Sequence, residues 1–261
     1  MTASNDTATA AWIGSRHTVG RPRLRLICLP HAGGGAGSFA GWRAHVPEGT
    51  ELVLVELPGR GGRIDEAMPE TMAGLVDALF TGLRGEFDAP YAIFGHSFGA
   101  LLGYELTRRI EQEIARGEPL RPPRALLVSG SRAPHVPLHR KRVADGDDAK
   151  LLDWLRDSGG LPEELLEFPD FLRDLLRAVR SDMNFAEQYL VPEPAAVGCP
   201  LVAFAGYQDA VSAASHVEPW SQYTTAAHRL RVLSGGHYFP QSHPQETVTA
   251  VLAELAAVSQ G

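Results

Sequence analysis

Six short apolar runs of strand length constrain the fold of this chain more than any other feature: Leu24 to Leu29, Leu52 to Val55, Tyr91 to Phe94, Ala125 to Val128, Leu201 to Ala205 and Leu230 to Leu233. Helix-length segments separate most of them. Thr71 to Arg84 places Met72, Leu75, Val76, Leu79 and Leu83 at helical spacing, and Ala100 to Ile114 does the same with Leu101, Leu102, Leu106 and Ile110. A last helix is expected to open on a capping box of Ser242 and Gln245, with Pro244 in its first turn. Alternation of this kind predicts an α/β fold, a mostly parallel, doubly wound sheet with helices on both faces.

The alternation breaks between about Pro134 and Pro194. That stretch offers only helical patterns: Ala149 to Arg156, then Asp170 to Leu190 with Leu172, Leu175, Leu176, Val179, Met183, Ala186 and Leu190 in register. An insertion of helices between two strands, on the edge where active-site loops gather, reads as a lid, and equally as a helical subdomain completing the core. The length suits one domain. Residues 16–261 are assigned to it, with the lid at about 134–194, and the small, polar residues 1–15 to a flexible tail.

Gly95-His96-Ser97-Phe98-Gly99 lies directly between the run Tyr91 to Phe94 and the helical stretch that begins at Ala100. This is the context a nucleophile elbow requires, since a serine at the tip of a sharp strand-to-helix bend needs small neighbours so that strand and helix can pass closely. The helix start then directs N–H groups and the positive end of its dipole at an oxyanion formed beside Ser97. A serine hydroxyl also needs an imidazole to take its proton and a carboxylate to orient the imidazole, in the chain order Ser, Asp or Glu, His. Asp209 follows the run Leu201 to Ala205, and His237 follows Leu230 to Leu233 through Ser234-Gly235-Gly236. Each stands at a strand end, and they are the expected acid and base.

Rivals fit this pattern less well. Asp170 and Asp182 fall inside the helical insert, and His243 lies at the cap of the last helix. His96 adjoins the nucleophile, but successive side chains diverge in a turn, so packing or hydrogen bonding beneath the elbow is its expected role. The loop Pro30-His31-Ala32-Gly33-Gly34-Gly35-Ala36-Gly37 follows the first strong strand and can expose N–H groups. The backbone N–H groups of Ala32 and Phe98 are the expected oxyanion hole. A glycine-rich loop can also cradle phosphate, but neither a Walker lysine nor a G-x-G-x-x-G spacing is present.

Apolar residues make up 44% of the chain, which excludes a largely disordered protein. The formal net charge of −7 argues against general affinity for nucleic acid. Cys28 and Cys199 sit in apolar settings and read as reduced, packed side chains. With no basic n-region and no apolar stretch long enough to span a bilayer, a cytoplasmic location without membrane association is expected. No His/Cys cluster shows ligand spacing, so no metal is expected.

Four blocks together carry a family resemblance: Cys28-Leu29-Pro30-His31-Ala32-Gly33-Gly34, Leu57-Pro58-Gly59-Arg60-Gly61, Gly95-His96-Ser97-Phe98-Gly99-Ala100 and Gly235-Gly236-His237-Tyr238-Phe239. From about Arg23 to the final helix the chain resembles type II thioesterases, α/β-hydrolases that serve polyketide synthases and nonribosomal peptide synthetases. Tyr238 stands where that family more often has phenylalanine, and Gln112 to Arg124 looks somewhat extended. The resemblance implies hydrolysis of acyl groups stalled on the phosphopantetheine arm of an acyl or peptidyl carrier protein. It implies no cofactor beyond the arm the partner brings. A general carboxylesterase or lipase and an acyltransferase are the alternatives on the same fold. Leu172, Leu175, Val179 and Phe185 are candidates for an acyl channel, and the basic run His139-Arg140-Lys141-Arg142 for contact with an acidic carrier.

Overall fold

Alternate residues of the apolar runs separate onto two faces. Ile27 and Leu29 enter one core while Leu26 and Cys28 enter another, and Val53 and Val55 likewise part from Leu52 and Leu54. A strand buried on both sides reads as an unbroken apolar run for this reason. The computed structural model describes residues 12–138 and 140–258. Its strands are β1 (Ile13–Thr18), β2 (Leu24–Leu29), β3 (Thr50–Val55), β4 (Tyr91–His96), β5 (Leu126–Ser129), β6 (Leu201–Gly206) and β7 (His228–Leu233). They form one 7-stranded sheet in the order β1-β3-β2-β4-β5-β6-β7. Every pairing is parallel except that of β1 with β3.

The five longer helices are α1 (Met72–Leu83), α2 (Phe98–Ala115), α3 (Asp148–Asp157), α4 (Pro169–Gln188) and α5 (Pro244–Val258). Apolar residues of α1, α2 and the insert share one core with the first sheet face. The second face is covered by α5 and by the 3-10 stretch Ala36–His45, whose Phe39 and Trp42 pack on Phe94. Helices α3 and α4 lie in the insert between β5 and β6, and among the described residues 134–194 contain no strand. The sheet with its helical insert is thus the expected α/β-hydrolase architecture.

Two local expectations are corrected. The strand Ile13–Thr18 overlaps the assigned tail, because Ile13 to Thr18 pair with β3, so only residues 1–11 of the tail remain, and these lie outside the described residues. The capping box at Ser242 and Gln245 does not form. Phe239–Ser242 is already a helical turn, so the Ser242 hydroxyl donates to the Tyr238 carbonyl at 3.2 Å, and His243 supplies the carbonyl that receives Thr247 N–H at 3.1 Å.

Candidate active site

Because β2, β4, β6 and β7 run parallel, their C-terminal ends share one edge of the sheet, where open α/β sheets hold their ligands. Ser97, Asp209, His237 and the loop after Leu29 all follow those ends. Ser97 sits at φ 54° and ψ −113°, the one positive-φ residue among the described non-glycine residues. Such a conformation costs about 1–3 kcal/mol and persists only where its surroundings fix it. Here Ser97 N–H donates to the Ser129 carbonyl at 2.7 Å, tying the elbow to β5. The flanking glycines are required by space: a Cβ at Gly95 would lie 2.0 Å from the Gly99 carbonyl oxygen, and one at Gly99 would lie 2.2 Å from that of Leu29.

The three widely separated side chains meet. His237 Nε2 lies 3.1 Å from Ser97 Oγ, and His237 Nδ1 lies 2.9 Å from Asp209 Oδ2. A carboxylate only accepts, so Nδ1 carries the proton and Nε2 is left to accept from the serine hydroxyl. Asp209 is buried, and its other oxygen accepts from the N–H groups of Val211 and Ser212, both at 2.8 Å. The acid and base loops are also bound to each other, since Gln208 N–H donates to the Gly235 carbonyl at 2.9 Å.

Two more histidines surround the base. His96 is buried, its Nδ1 3.0 Å from Ser129 Oγ, and its ring centroid is 5.2 Å from that of His237. It lies beneath the elbow, as expected. Burial, with His237 and His31 close by, holds its imidazole well below the ordinary range. His31, bonded to Gln241 at 3.1 Å, is pushed down to about 3 by burial, then by His237 and Arg60. Both rings are therefore neutral in the working pH range and place no competing positive charge beside His237.

Of the two expected oxyanion donors, Phe98 N–H is the first of helix α2 and has no carbonyl four residues back within the helix. Ala32 is the second residue of a turn that Gly34 N–H closes onto the His31 carbonyl at 2.9 Å. The turn does not use the Ala32 N–H. The phosphate-cradle alternative loses ground, because Gly33 N–H already donates to the Asp182 carboxylate at 2.8 Å, and an anion there would meet that charge.

A cavity of about 50 Å³ adjoins Ser97, walled in part by Leu101, Trp154, Met183 and Ala186. The expected acyl-channel residues lie elsewhere. Leu175 and Val179 cover Gly33, Leu172 packs into the core, and Phe185 stacks on Phe98 with centroids 6.0 Å apart. Among the described residues no cluster of histidine, cysteine or carboxylate is placed to hold a metal ion.

A family model described as a thioesterase domain matches residues 24–256. The chain belongs to the thioesterase family. A Brevibacillus parabrevis protein named linear gramicidin dehydrogenase is 30% identical to this thioesterase over 96% of this chain and 94% of its own. The RedJ thioesterase from the prodiginine biosynthetic pathway in Streptomyces coelicolor is 35% identical and superposes with a TM-score of 0.80 over 91% of both chains. The type II thioesterase BorB from the borrelidin biosynthetic cluster is 31% identical, with a TM-score of 0.82 over 94% of this chain and 98% of that one. Such neighbours make this chain a hydrolase of thioester bonds on the α/β-hydrolase fold.

Arg60 and Asp182 join the site without being expected there. They form a buried ion pair against the glycine-rich loop. Arg60 belongs to a block that carried the family resemblance, which was the available signal; nothing near Asp182 in the sequence points to it.

Proposed function

We propose that this thioesterase releases stalled acyl groups from the phosphopantetheine arm of acyl or peptidyl carrier proteins in polyketide or nonribosomal peptide synthesis, through an acyl-serine on Ser97. The supporting observation is the continuous line from Asp209 through His237 to Ser97, at 2.9 and 3.1 Å, in a chain of this family.

The residue types dictate the steps. His237 Nε2 takes the Ser97 proton as Oγ attacks the thioester carbonyl, and Asp209 stabilises the imidazolium through Nδ1. The N–H groups of Ala32 and Phe98 hold the oxyanion. Collapse expels the pantetheine thiolate, a good leaving group that takes up the proton with little demand for a strong acid. Water, deprotonated by the same imidazole, then attacks the acyl-serine and frees the carboxylic acid.

Carrier recognition by the basic run meets an obstacle within the lid. His139 lies outside the described residues, Arg140 is bonded to the buried Glu187 at 2.5 Å, and Arg142 to Asn184 at 2.8 Å. Lys141 is exposed. Among the described residues of the run, Lys141 is therefore the first candidate for carrier contact.

Loading several acyl groups on a holo carrier protein and following the carrier's mass tests the reading. Loss of acyl mass with the wild type, and none with Ser97→Ala, is expected. Much faster turnover of simple oxygen esters than of acyl carriers would replace it with a carboxylesterase, and transfer to an added alcohol or amine would make it an acyltransferase.

A further inference from the structure

Helix α4 reaches into the catalytic end of the sheet through one carboxylate. Asp182, with a fully buried side chain, accepts from Arg60 through both oxygens at 2.5 and 2.8 Å and from Gly33 N–H at 2.8 Å. Arg60 in turn donates to the Gly34 carbonyl at 3.0 Å and to that of Pro58 at 3.3 Å. The pair therefore grips the main chain of the His31–Gly34 turn on both sides of the Gly33–Gly34 peptide. Val179, one turn before Asp182, presses on the same residue: a Cβ at Gly33 would lie 2.2 Å from its Cγ2.

That turn carries one of the two oxyanion donors. Gly33 holds the third position with φ 76°, as a type II turn demands, and Gly34 N–H closes the turn onto His31. Such a turn leaves the N–H groups of its two central residues, Ala32 and Gly33, outside its own hydrogen bond. Asp182 takes the second. Since the peptide is planar, fixing the Gly33 N–H also fixes the Ala32 carbonyl and restricts rotation about Ala32. Of the two central donors, the Ala32 N–H is then the one left for substrate.

We infer that Arg60 and Asp182 are positioning residues for the oxyanion hole, so that the lid helix sets the direction of the Ala32 N–H. The inference rests on Ser97 acting as nucleophile through an oxyanion held by Ala32. A purely structural staple would fasten the lid without affecting the transition state. The two roles differ in what the Gly33 N–H acceptor does for the rate.

Two double variants separate them. Arg60→Gln with Asp182→Asn keeps a neutral hydrogen-bonded pair and an oxygen for Gly33 N–H. Arg60→Met with Asp182→Leu buries the same space without an acceptor, a replacement that proteins often tolerate without loss of stability. Hydrolysis of an acyl-N-acetylcysteamine thioester gives kcat and KM, and inhibition by an alkylboronic acid, whose serine adduct places an oxygen in the oxyanion hole, gives Ki. Thermal melts establish that each variant is folded. The Gln/Asn pair is expected to stay within about 5-fold of wild type, whereas the Met/Leu pair loses about 100-fold in kcat at similar KM, the range for removing one oxyanion donor. Its boronate Ki should rise in step.

Equal kcat in the two folded variants, or a kcat loss with unchanged boronate Ki, overturns the inference. If the Met/Leu pair does not fold, Arg60→Gln with Asp182→Ala makes the same deletion and is judged by the same two readouts. An inactive wild type on the thioester would instead remove the reading of Ser97, a distinguishable failure.

Discussion

The strand-end loops and the helical insert are held in different ways. Ser97, Asp209 and His237 stand on segments fixed by main-chain bonds, such as Ser97 N–H to the Ser129 carbonyl and Gln208 N–H to that of Gly235, within the frame of a parallel sheet. The insert is fastened over them by long side chains, Arg60 to Asp182 and Arg132 to the carbonyls of Ala186 and Tyr189 at 3.1 and 2.9 Å, and is held together internally by Arg140 to Glu187. A main-chain frame tolerates exchange of the side chains it carries and fails only where backbone itself must move, whereas a fastening of few charges yields to one substitution. Changes of the reacting side chains should therefore abolish chemistry with the fold intact, and single changes to the charges that fasten the insert should alter stability and rate together.

The largest effect that would sharpen this contrast is Asp209→Asn. Loss of the carboxylate allows the wrong tautomer at His237, and kcat on a thioester should fall about 10⁴-fold with an unchanged melting curve. A fall below 10-fold would mean that another group orients the imidazole. Next is Gly99→Ala, where the added carbon meets the Leu29 carbonyl oxygen at 2.2 Å. Destabilisation of more than about 4 kcal/mol, read by chemical denaturation, is expected because backbone must move.

In the insert, Arg140→Glu sets two negative charges together at Glu187, which also accepts from the N–H groups of Val143 and Ala144 at 2.9 and 3.0 Å. A loss of about 2 kcal/mol is expected, less than for a fully buried pair because Arg140 is 33% exposed. Activity on small thioesters should fall with it. Lys141→Glu should leave both untouched and slow only carrier-bound substrate. Equal behaviour of the two variants would break the distinction between an internal fastening and a surface charge.

The last expected effect is graded with pH rather than set by one substitution. His31 and His96 are held below the ordinary imidazole range by burial, His31 to about 3. An unfolded chain would protonate both near pH 6.5. Between that pH and about 3 it binds more protons than the folded state, so stability falls as acid is added. The slope reaches up to about 1.4 kcal/mol per pH unit for each histidine. Denaturation midpoints that do not fall between pH 7.5 and 5 would contradict the buried, neutral state, and His96→Asn should make the slope shallower.

The same contrast governs what the sequence reveals. Strands β2 to β6 are legible because burial on both faces leaves them largely apolar, and Ser97 and Asp209 because each follows such a run. Strand β7, half-exposed at the other sheet edge, is legible only from Leu230, Val232 and Leu233, and His237 from the glycines that follow them. Strand β1 is not, since Ile13-Gly-Ser-Arg-His-Thr18 alternates half-buried and exposed residues at the sheet edge and never forms an apolar run. The ion pair of Arg60 and Asp182 joins residues 122 apart, and no local pattern encodes a contact across that separation. Asp182 looks like any polar residue of an amphipathic helix until the fold brings it to Gly33. The Ser242 box failed for a local reason, the preceding helical turn at Phe239 that took the serine hydroxyl.

Chemical quench of the wild type mixed with an acyl-loaded carrier, within the first turnover and followed by peptide mass mapping, tests the covalent route most directly. The account predicts a transient mass increase equal to the acyl group on the peptide containing Ser97, decaying as free acid appears. Free acid released with no such adduct, or with the adduct on another residue, would contradict it.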